Sequence, residues 1–305
     1  MNLAGVFAPV PTPFDDRGGV STDRLTRALA RWTKAPIGGF VVLGSNGEAP
    51  FLDEEESDQV IGAARDAIPA ATPMIAGTGR ESTAATIRAT GRAAALGATA
   101  VLVRTPGFFK SQMTSDLFVR HYTAVADTSP VPVLLYNFTG VTGVTIQADA
   151  VARLSAHPNI IGLKESNGDP DRIRELVAAV AAAETARGVR GGFAILAGSA
   201  TTFHPSLVAG ATGGVLVLST ILPHACAQLF ALARAGKDSE ARAIQERVAP
   251  LSQLIGSKYG VAGVKAALNL AGYDVGEPRL PLVPLPEAAR AALKETLALF
   301  EEVAA

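Results

Sequence analysis

The chain is short of several things, and each shortage excludes something. It has one cysteine in 305 residues, Cys226, so neither an internal disulfide nor a multi-cysteine metal site can form. Its 27 Lys and Arg balance 28 Asp and Glu, a formal net charge of −1, without the basic surplus that a nucleic-acid binder needs. The four histidines, His121, His157, His204 and His224, include no pair at the i, i+4 spacing of a helical metal site. No elbow motif suggests a Ser-His-Asp hydrolase. No stretch of about 18 residues is apolar throughout, so no membrane partner is expected. The N-terminal MNLAGVFAPVPTPF lacks a basic segment followed by a long apolar run, which argues against a signal peptide and for a cytoplasmic protein. A glycine-rich dinucleotide loop is also missing: Gly77-Thr78-Gly79 comes nearest, with Ser82 where the third glycine belongs.

What the chain does have is alternation. Short, β-branched apolar runs recur at Gly5–Val10, Gly39–Leu43, Pro73–Ala76, Ala100–Arg104, Val131–Tyr136, Ile160–Lys164, Phe193–Ala197 and Gly214–Leu218. Several are apolar on both faces, as parallel strands covered on both sides must be. Helical stretches follow them at Thr22–Thr33, Glu54–Ile68, Ser82–Leu96, Ser115–Asp127, Ala148–Ser155, Pro170–Thr185, Thr201–Ala209 and Leu222–Ala235. Asp53 before three glutamates, and Asp169 before Pro170, read as helix starts. Eight strand–helix units predict a (β/α)8 barrel over residues 1–235. A doubly wound open sheet is the alternative, disfavoured by the absent phosphate loop. Residues 236–305 carry three further helices, Asp238–Ile255, Val261–Ala271 and Pro286–Val303. They hold too little apolar sequence for a second domain and are expected to pack on the barrel as an appendage.

Chemistry in such barrels sits at the C-terminal ends of the strands. Lys164, one of seven lysines, closes the apolar run Ile160-Ile161-Gly162-Leu163. A lysine in a barrel mouth loses hydration, which favours the neutral amine that can attack a ketone and form an imine. A structural lysine paired with Glu165 is the alternative. Tyr136 ends the preceding strand, where a phenol can move protons, or merely line the rim as a core tyrosine does. Ser45-Asn46-Gly47 offers a hydroxyl, an amide and backbone N–H groups suited to a carboxylate, or is a plain turn. Glu48 caps the helix that follows or bonds the turn backbone. Arg104 ends the fourth strand.

The ordered segments GSNGE (44–48), YN (136–137), GLKES (162–166), AGS (197–199) and GGV (213–215) resemble the dihydrodipicolinate synthase / N-acetylneuraminate lyase family of pyruvate-handling barrels. The resemblance spans nearly the whole chain. With RHYTAVADTSPVPVLLYN and AHPNIIGLKES it is most similar to the family's 4-hydroxy-2-oxoglutarate aldolase branch. It implies an imine on Lys164, Tyr136 as acid/base, Ser45 and Asn46 on the pyruvyl carboxylate, and Gly198, Ser199 and Leu216 lining the pocket. It implies no cofactor beyond the covalent imine, pyruvate plus an aldehyde such as glyoxylate as partners, and a homo-oligomer, dimer or tetramer. The chain departs from the family pattern in three places. Phe108 and Phe109 replace a tyrosine pair that extends the proton relay. Val141 stands where synthases carry an arginine for the second substrate, which argues against dihydrodipicolinate synthase proper. Arg104 stands where an apolar residue is usual, either replacing the missing charge for a different substrate carboxylate or pointing outward under a helix. The aromatic residues leave open a dehydratase, or a hydratase-aldolase with an aromatic aldehyde. The missing tyrosines leave open a non-catalytic homologue that binds a 2-oxo acid.

Overall fold

The structure, a computed structural model, describes residues 1–189 and 191–300. Eight parallel strands close into a barrel in sequence order: β1 (Val6–Pro9), β2 (Gly39–Val42), β3 (Met74–Gly77), β4 (Ala100–Arg104), β5 (Val133–Asn137), β6 (Ile160–Glu165), β7 (Ala194–Ala197) and β8 (Gly213–Val215). Val6 pairs with Gly214 to seal the ring. The predicted (β/α)8 barrel is therefore observed, and the open sheet is not.

The apolar runs divide by parity into two layers. Phe7, Val41, Ile75, Leu102, Leu134, Leu196 and Val215 fill the interior. Their neighbours Val6, Phe40, Val42, Val101, Val103, Leu135 and Leu163 pack outward under the helices. Both faces are dry, which is why these strands read as continuous hydrophobic runs.

Helix starts follow the expected chemistry. Asp53 and Glu56 form a reciprocal capping box at the helix Glu54–Ala67, and the Asp169 side chain accepts from the Asp171 N–H ahead of a helix that opens with Pro170. Two expected elements differ from their apolar patterns. The last strand stops at Val215, because Ser219 Oγ and Thr220 Oγ1 donate to the Leu216 and Val217 carbonyls at 2.7 Å and curl Val217–Thr220 into a tight helical turn. The expected helix Asp238–Ile255 is present but changes type, being α-helical to Ser252. Pro250, which has no N–H to give, lies in its last turn, and a wider π-helical turn, Gln253–Lys258, follows. The final helix runs from Glu287 to Leu297, after which the chain tightens through the Phe300 N–H to the Leu297 carbonyl. Residues 301–303 of the longer helix expected there lie outside the described residues.

The C-terminal helices pack against the barrel. Trp32, fully buried, donates to the Thr220 carbonyl at 2.8 Å and stacks on Tyr273 with ring centroids 5.0 Å apart. Helix Gly260–Leu270 reaches the Ser45–Gly47 turn at the end of β2. Among the described residues no helix is long and apolar enough to cross a membrane.

One irregularity decides where the chemistry stands. Between β5 and β6, Val133 pairs with Ile160, but Leu134 pairs with Gly162, so Ile161 is an extra residue. Ile160 and Leu163, three positions apart, consequently both face the outer layer. The shift brings Lys164 into register with Tyr136 on the interior side.

Candidate active site

Lys164 is 3% exposed at the C-terminal end of β6. Its Nζ stands 4.4 Å from the centroid of the Tyr136 ring. The Tyr136 hydroxyl shares a 3.0 Å hydrogen bond with Ser45 Oγ. Three segments far apart in sequence, the ends of β2, β5 and β6, thus bring a hydroxyl, a phenol and an amine together at the barrel mouth. Phe138 stacks obliquely beside Tyr136, with ring centroids 6.2 Å apart.

The alternative pairing of Lys164 with Glu165 is not observed. Adjacent strand residues face opposite sides, and the Glu165 oxygens are engaged elsewhere. Oε2 accepts from Asn137 Nδ2 at 2.7 Å, and Oε1 accepts from the Asn167 N–H at 3.0 Å. Arg172 lies 3.9 Å from Oε2. Burial nevertheless pushes the Glu165 carboxyl above the usual carboxylate range. Asn137 Oδ1 in turn accepts from the Ile146 N–H. This network on the outer side ties the loops after β5 and β6 to the strands carrying Tyr136 and Lys164. Among the described residues no carboxylate forms an ion pair with Lys164.

The turn after β2 is tightly specified. Leu43 enters it at φ 55°, a left-handed conformation costly for a branched side chain, and a Cβ on Gly77 would overlap its carbonyl oxygen. Ser45–Gly47 then makes one helical turn, and Glu48 leaves it at φ 54°. Thr12 Oγ1 donates to the Gly47 carbonyl at 2.6 Å.

The Glu48 side chain neither caps the helix Glu54–Ala67, which Asp53 caps, nor bonds its own turn. Its carboxylate is fully buried and lies 2.7 Å from Lys265 Nζ on the C-terminal helix Gly260–Leu270. The signal for Lys265 was available: it is the only charge in GVAGVKAALNL, an otherwise apolar segment. Neither it nor Asn137–Glu165 follows from strand-end position alone.

The other expected site residues fall around this core. Gly198 and Ser199 follow β7, and the Gly198 N–H donates to the Glu165 carbonyl at 2.7 Å, next to Lys164. Gly198 must lack a side chain, since a Cβ there would overlap Ser166. Asn46 sits half-buried in the turn. Leu216 is fully buried and packs in the outer layer. Arg104 is in register with Tyr136 and lies over Gly79, where a Cβ would sit 2.6 Å from its Cγ. The outward position beneath a helix is thereby replaced by one on the rim. Its Nη1 binds Glu81 Oε1 at 2.7 Å and the Thr105 carbonyl at 3.0 Å. The second Glu81 oxygen accepts from the Gly107 and Phe108 N–H groups. Phe108 and Phe109 form an exposed edge-to-face pair, 78% and 64% accessible. Val141 is also exposed.

Three of the histidines serve the scaffold. His157 meets Asp127 and His204 meets Asp238, at 3.0 and 2.9 Å. His121 is buried with Nδ1 on Thr83 Oγ1, and burial holds its imidazole down at about 4. Among the described residues no cluster of three or more His, Cys, Asp or Glu side chains could hold a metal ion.

The sequence model of the Dihydrodipicolinate synthetase family matches residues 2–299. A 4-hydroxy-tetrahydrodipicolinate synthase of Xanthomonas campestris is 38% identical over 94% of this chain and 91% of its own length. A probable mitochondrial 4-hydroxy-2-oxoglutarate aldolase of Emericella nidulans is 36% identical over 96% and 93%. Identity therefore does not separate the two activities. The solved dihydrodipicolinate synthase of Acinetobacter baumannii, complexed with pyruvate, superimposes with a TM-score of 0.90 at 31% identity, covering 100% of this chain and 99% of that one. The family match, the closed barrel and the lysine at the end of its sixth strand agree: the chain belongs to the dihydrodipicolinate synthetase family, whose members are carbon–carbon lyases acting without metal or cofactor.

Proposed function

We propose that the protein is a class I aldolase that cleaves a small 4-hydroxy-2-oxo acid, 4-hydroxy-2-oxoglutarate foremost, to pyruvate and an aldehyde. The observation that carries this reading is the Lys164–Tyr136–Ser45 arrangement: a desolvated amine, 4.4 Å from a phenol ring whose hydroxyl is bonded to a serine. Lys164 adds to the C2 carbonyl and water departs, leaving an iminium. Tyr136 removes the C4 hydroxyl proton, the C3–C4 bond breaks, and its electron pair neutralises the iminium as an enamine. The aldehyde leaves, C3 regains a proton, and water hydrolyses the imine to free pyruvate and Lys164. Ser45 and Asn46 are assigned to the pyruvyl carboxylate, with Gly198 and Ser199 shaping the pocket around it.

Arg104 is assigned to the distal carboxylate. Both of its hydrogen bonds leave from Nη1, so Nε and Nη2 remain to receive a ligand. Val141, an exposed aliphatic residue, gives a second carboxylate no bidentate partner on the β5 side. That combination favours the aldolase over the synthase reaction. A second reading, in which an aromatic aldehyde leaves instead, is favoured by the exposed Phe108–Phe109 pair.

The test is reductive trapping. Pyruvate with borohydride is expected to leave a reduced adduct on Lys164, located by peptide mass analysis, and Lys164→Ala is expected to leave none. Folded protein that binds pyruvate with Lys164 unlabelled would make it a binding homologue and end the enzyme reading. Pyruvate release from 4-hydroxy-2-oxoglutarate or from an aromatic analogue, set against pyruvate consumption in the synthase direction, then identifies the substrate.

A further inference from the structure

Lys265 and Glu48 are both fully buried, and their charges face each other at 2.7 Å. Such a pair is costly to place in a dry interior, because desolvating two ions offsets most of their attraction. The surroundings explain what it joins. Glu48 is the residue that closes the Ser45–Gly47 turn, and its own N–H donates to the Ser45 carbonyl at 3.1 Å. Its second oxygen, Oε2, accepts from the Arg279 N–H at 2.9 Å. Lys265 also donates to the Glu277 carbonyl at 3.0 Å, and its Nζ lies 4.1 Å above the Phe14 ring. The Arg279 guanidinium covers the same ring at 4.3 Å and grips Glu56 through two bonds of 2.6 and 2.7 Å. Two cations and two carboxylates thus fasten the C-terminal segment to the loop after β1, to the turn after β2 and to the helix that follows it.

We propose that Lys265 is a positioning residue for the reaction: through Glu48 it holds the Ser45–Gly47 turn so that Ser45 meets the Tyr136 hydroxyl. The C-terminal helices are then a wall of the active-site turn. The inference rests on the aldolase reading given above. Lys265 touches no substrate. It acts through the rigidity of a six-residue segment whose two ends, Leu43 and Glu48, are both held in left-handed backbone. Preorganised geometry of this kind carries rate, and a displacement of about 1 Å can cost on the order of a hundredfold.

The experiment is a double-mutant cycle between Lys265→Met and Ser45→Ala, read as kcat for pyruvate release and as its pH profile, with trapping of Lys164 in the unsubstituted enzyme as the control. Lys265→Met is expected to lower kcat about 10- to 100-fold and to move the alkaline limb of the profile in the same direction as Ser45→Ala does. The double variant is expected to match Ser45→Ala alone within about twofold, since the serine is the route by which the lysine acts. If Lys265→Met does not fold, Glu48→Gln/Lys265→Met removes both charges together and enters the same cycle. Additive losses in kcat, with the pH profile unmoved by the lysine substitution, would assign Lys265 to stability alone and overturn the proposal. Failure of the unsubstituted enzyme to trap pyruvate on Lys164 sinks the aldolase reading first and takes the positioning role with it.

Discussion

Ser45 Oγ and the Tyr136 hydroxyl lie 3.0 Å apart across the barrel mouth, joined by a hydrogen bond between residues 91 positions distant in the chain. This bond gives the phenol a partner within the same chain. It matters because Phe108 and Phe109, in the loop after β4, have no hydroxyl to extend a relay. Proton transfer in the proposed cleavage then depends on Tyr136, with Ser45 orienting it.

Tyr136→Phe separates imine formation from cleavage. The ring remains beneath the amine, so pyruvate should still be trapped on Lys164, while turnover falls about 10²–10⁴-fold, the usual share of a general acid or base. Stopped-flow measurement of pyruvate release beside mass analysis of the trapped protein checks both. Undiminished turnover would remove Tyr136 from the mechanism.

Arg104→Gln tests the distal carboxylate. With the guanidinium gone, KM for a dicarboxylic substrate should rise about 10- to 100-fold, equivalent to roughly 1.5–3 kcal/mol for a charge-assisted bond. An analogue lacking that carboxylate should show no such rise. Equal effects on both would confine Arg104 to holding Glu81 and the loop after β4.

His121 makes a prediction about acid stability. Its folded value, about 4, lies below the ordinary 6.5 because burial disfavours the imidazolium. The unfolded chain therefore binds a proton below pH 6.5 that the fold refuses. Stability falls as pH drops from 6.5 towards 4, by about 3 kcal/mol in all. His121→Gln, which cannot titrate, should flatten that part of a urea-midpoint profile. An unchanged slope would place the acid sensitivity elsewhere.

Glu184 is a scaffold carboxylate just ahead of β7. It is 8% exposed and accepts from the Gly191, Gly192 and Phe193 N–H groups at 2.8, 2.9 and 3.2 Å. Glu184→Leu should lower unfolding free energy by about 3 kcal/mol, as three donors lose a charged acceptor. Chemical denaturation followed by far-UV circular dichroism measures it, and a loss below about 0.5 kcal/mol would show that water replaces the carboxylate.

Much of this architecture is legible in local pattern. The doubly buried runs announce parallel strands, and Lys164, Tyr136 and Ser45 announce themselves by standing where those runs end. What escapes is whatever depends on partners distant in sequence. Nothing around Glu48 reveals that its counter-charge is Lys265 near the other end of the chain, nor does Glu81 reveal Arg104. The extent of the last strand escapes for a nearer reason: the Ser219 and Thr220 hydroxyls compete for the backbone of a run apolar enough to continue it.

The extra residue at Ile161 carries a consequence for how this catalyst could be lost or gained. Orientation along a strand has only two values, and the bulge selects the one that puts the amine indoors. Were Ile161 to pair regularly with Leu134, each later residue would slip by one and Lys164 would stand opposite Asn137, turned towards the helices, whereas deleting Ile161 would leave Lys164 opposite Tyr136 in an unbroken ladder. A homologue whose sixth strand kept its length but lost the bulge would still be recognised by its sequence as an aldolase while having none of the chemistry, and the pairing of that strand would be the trait that betrays it.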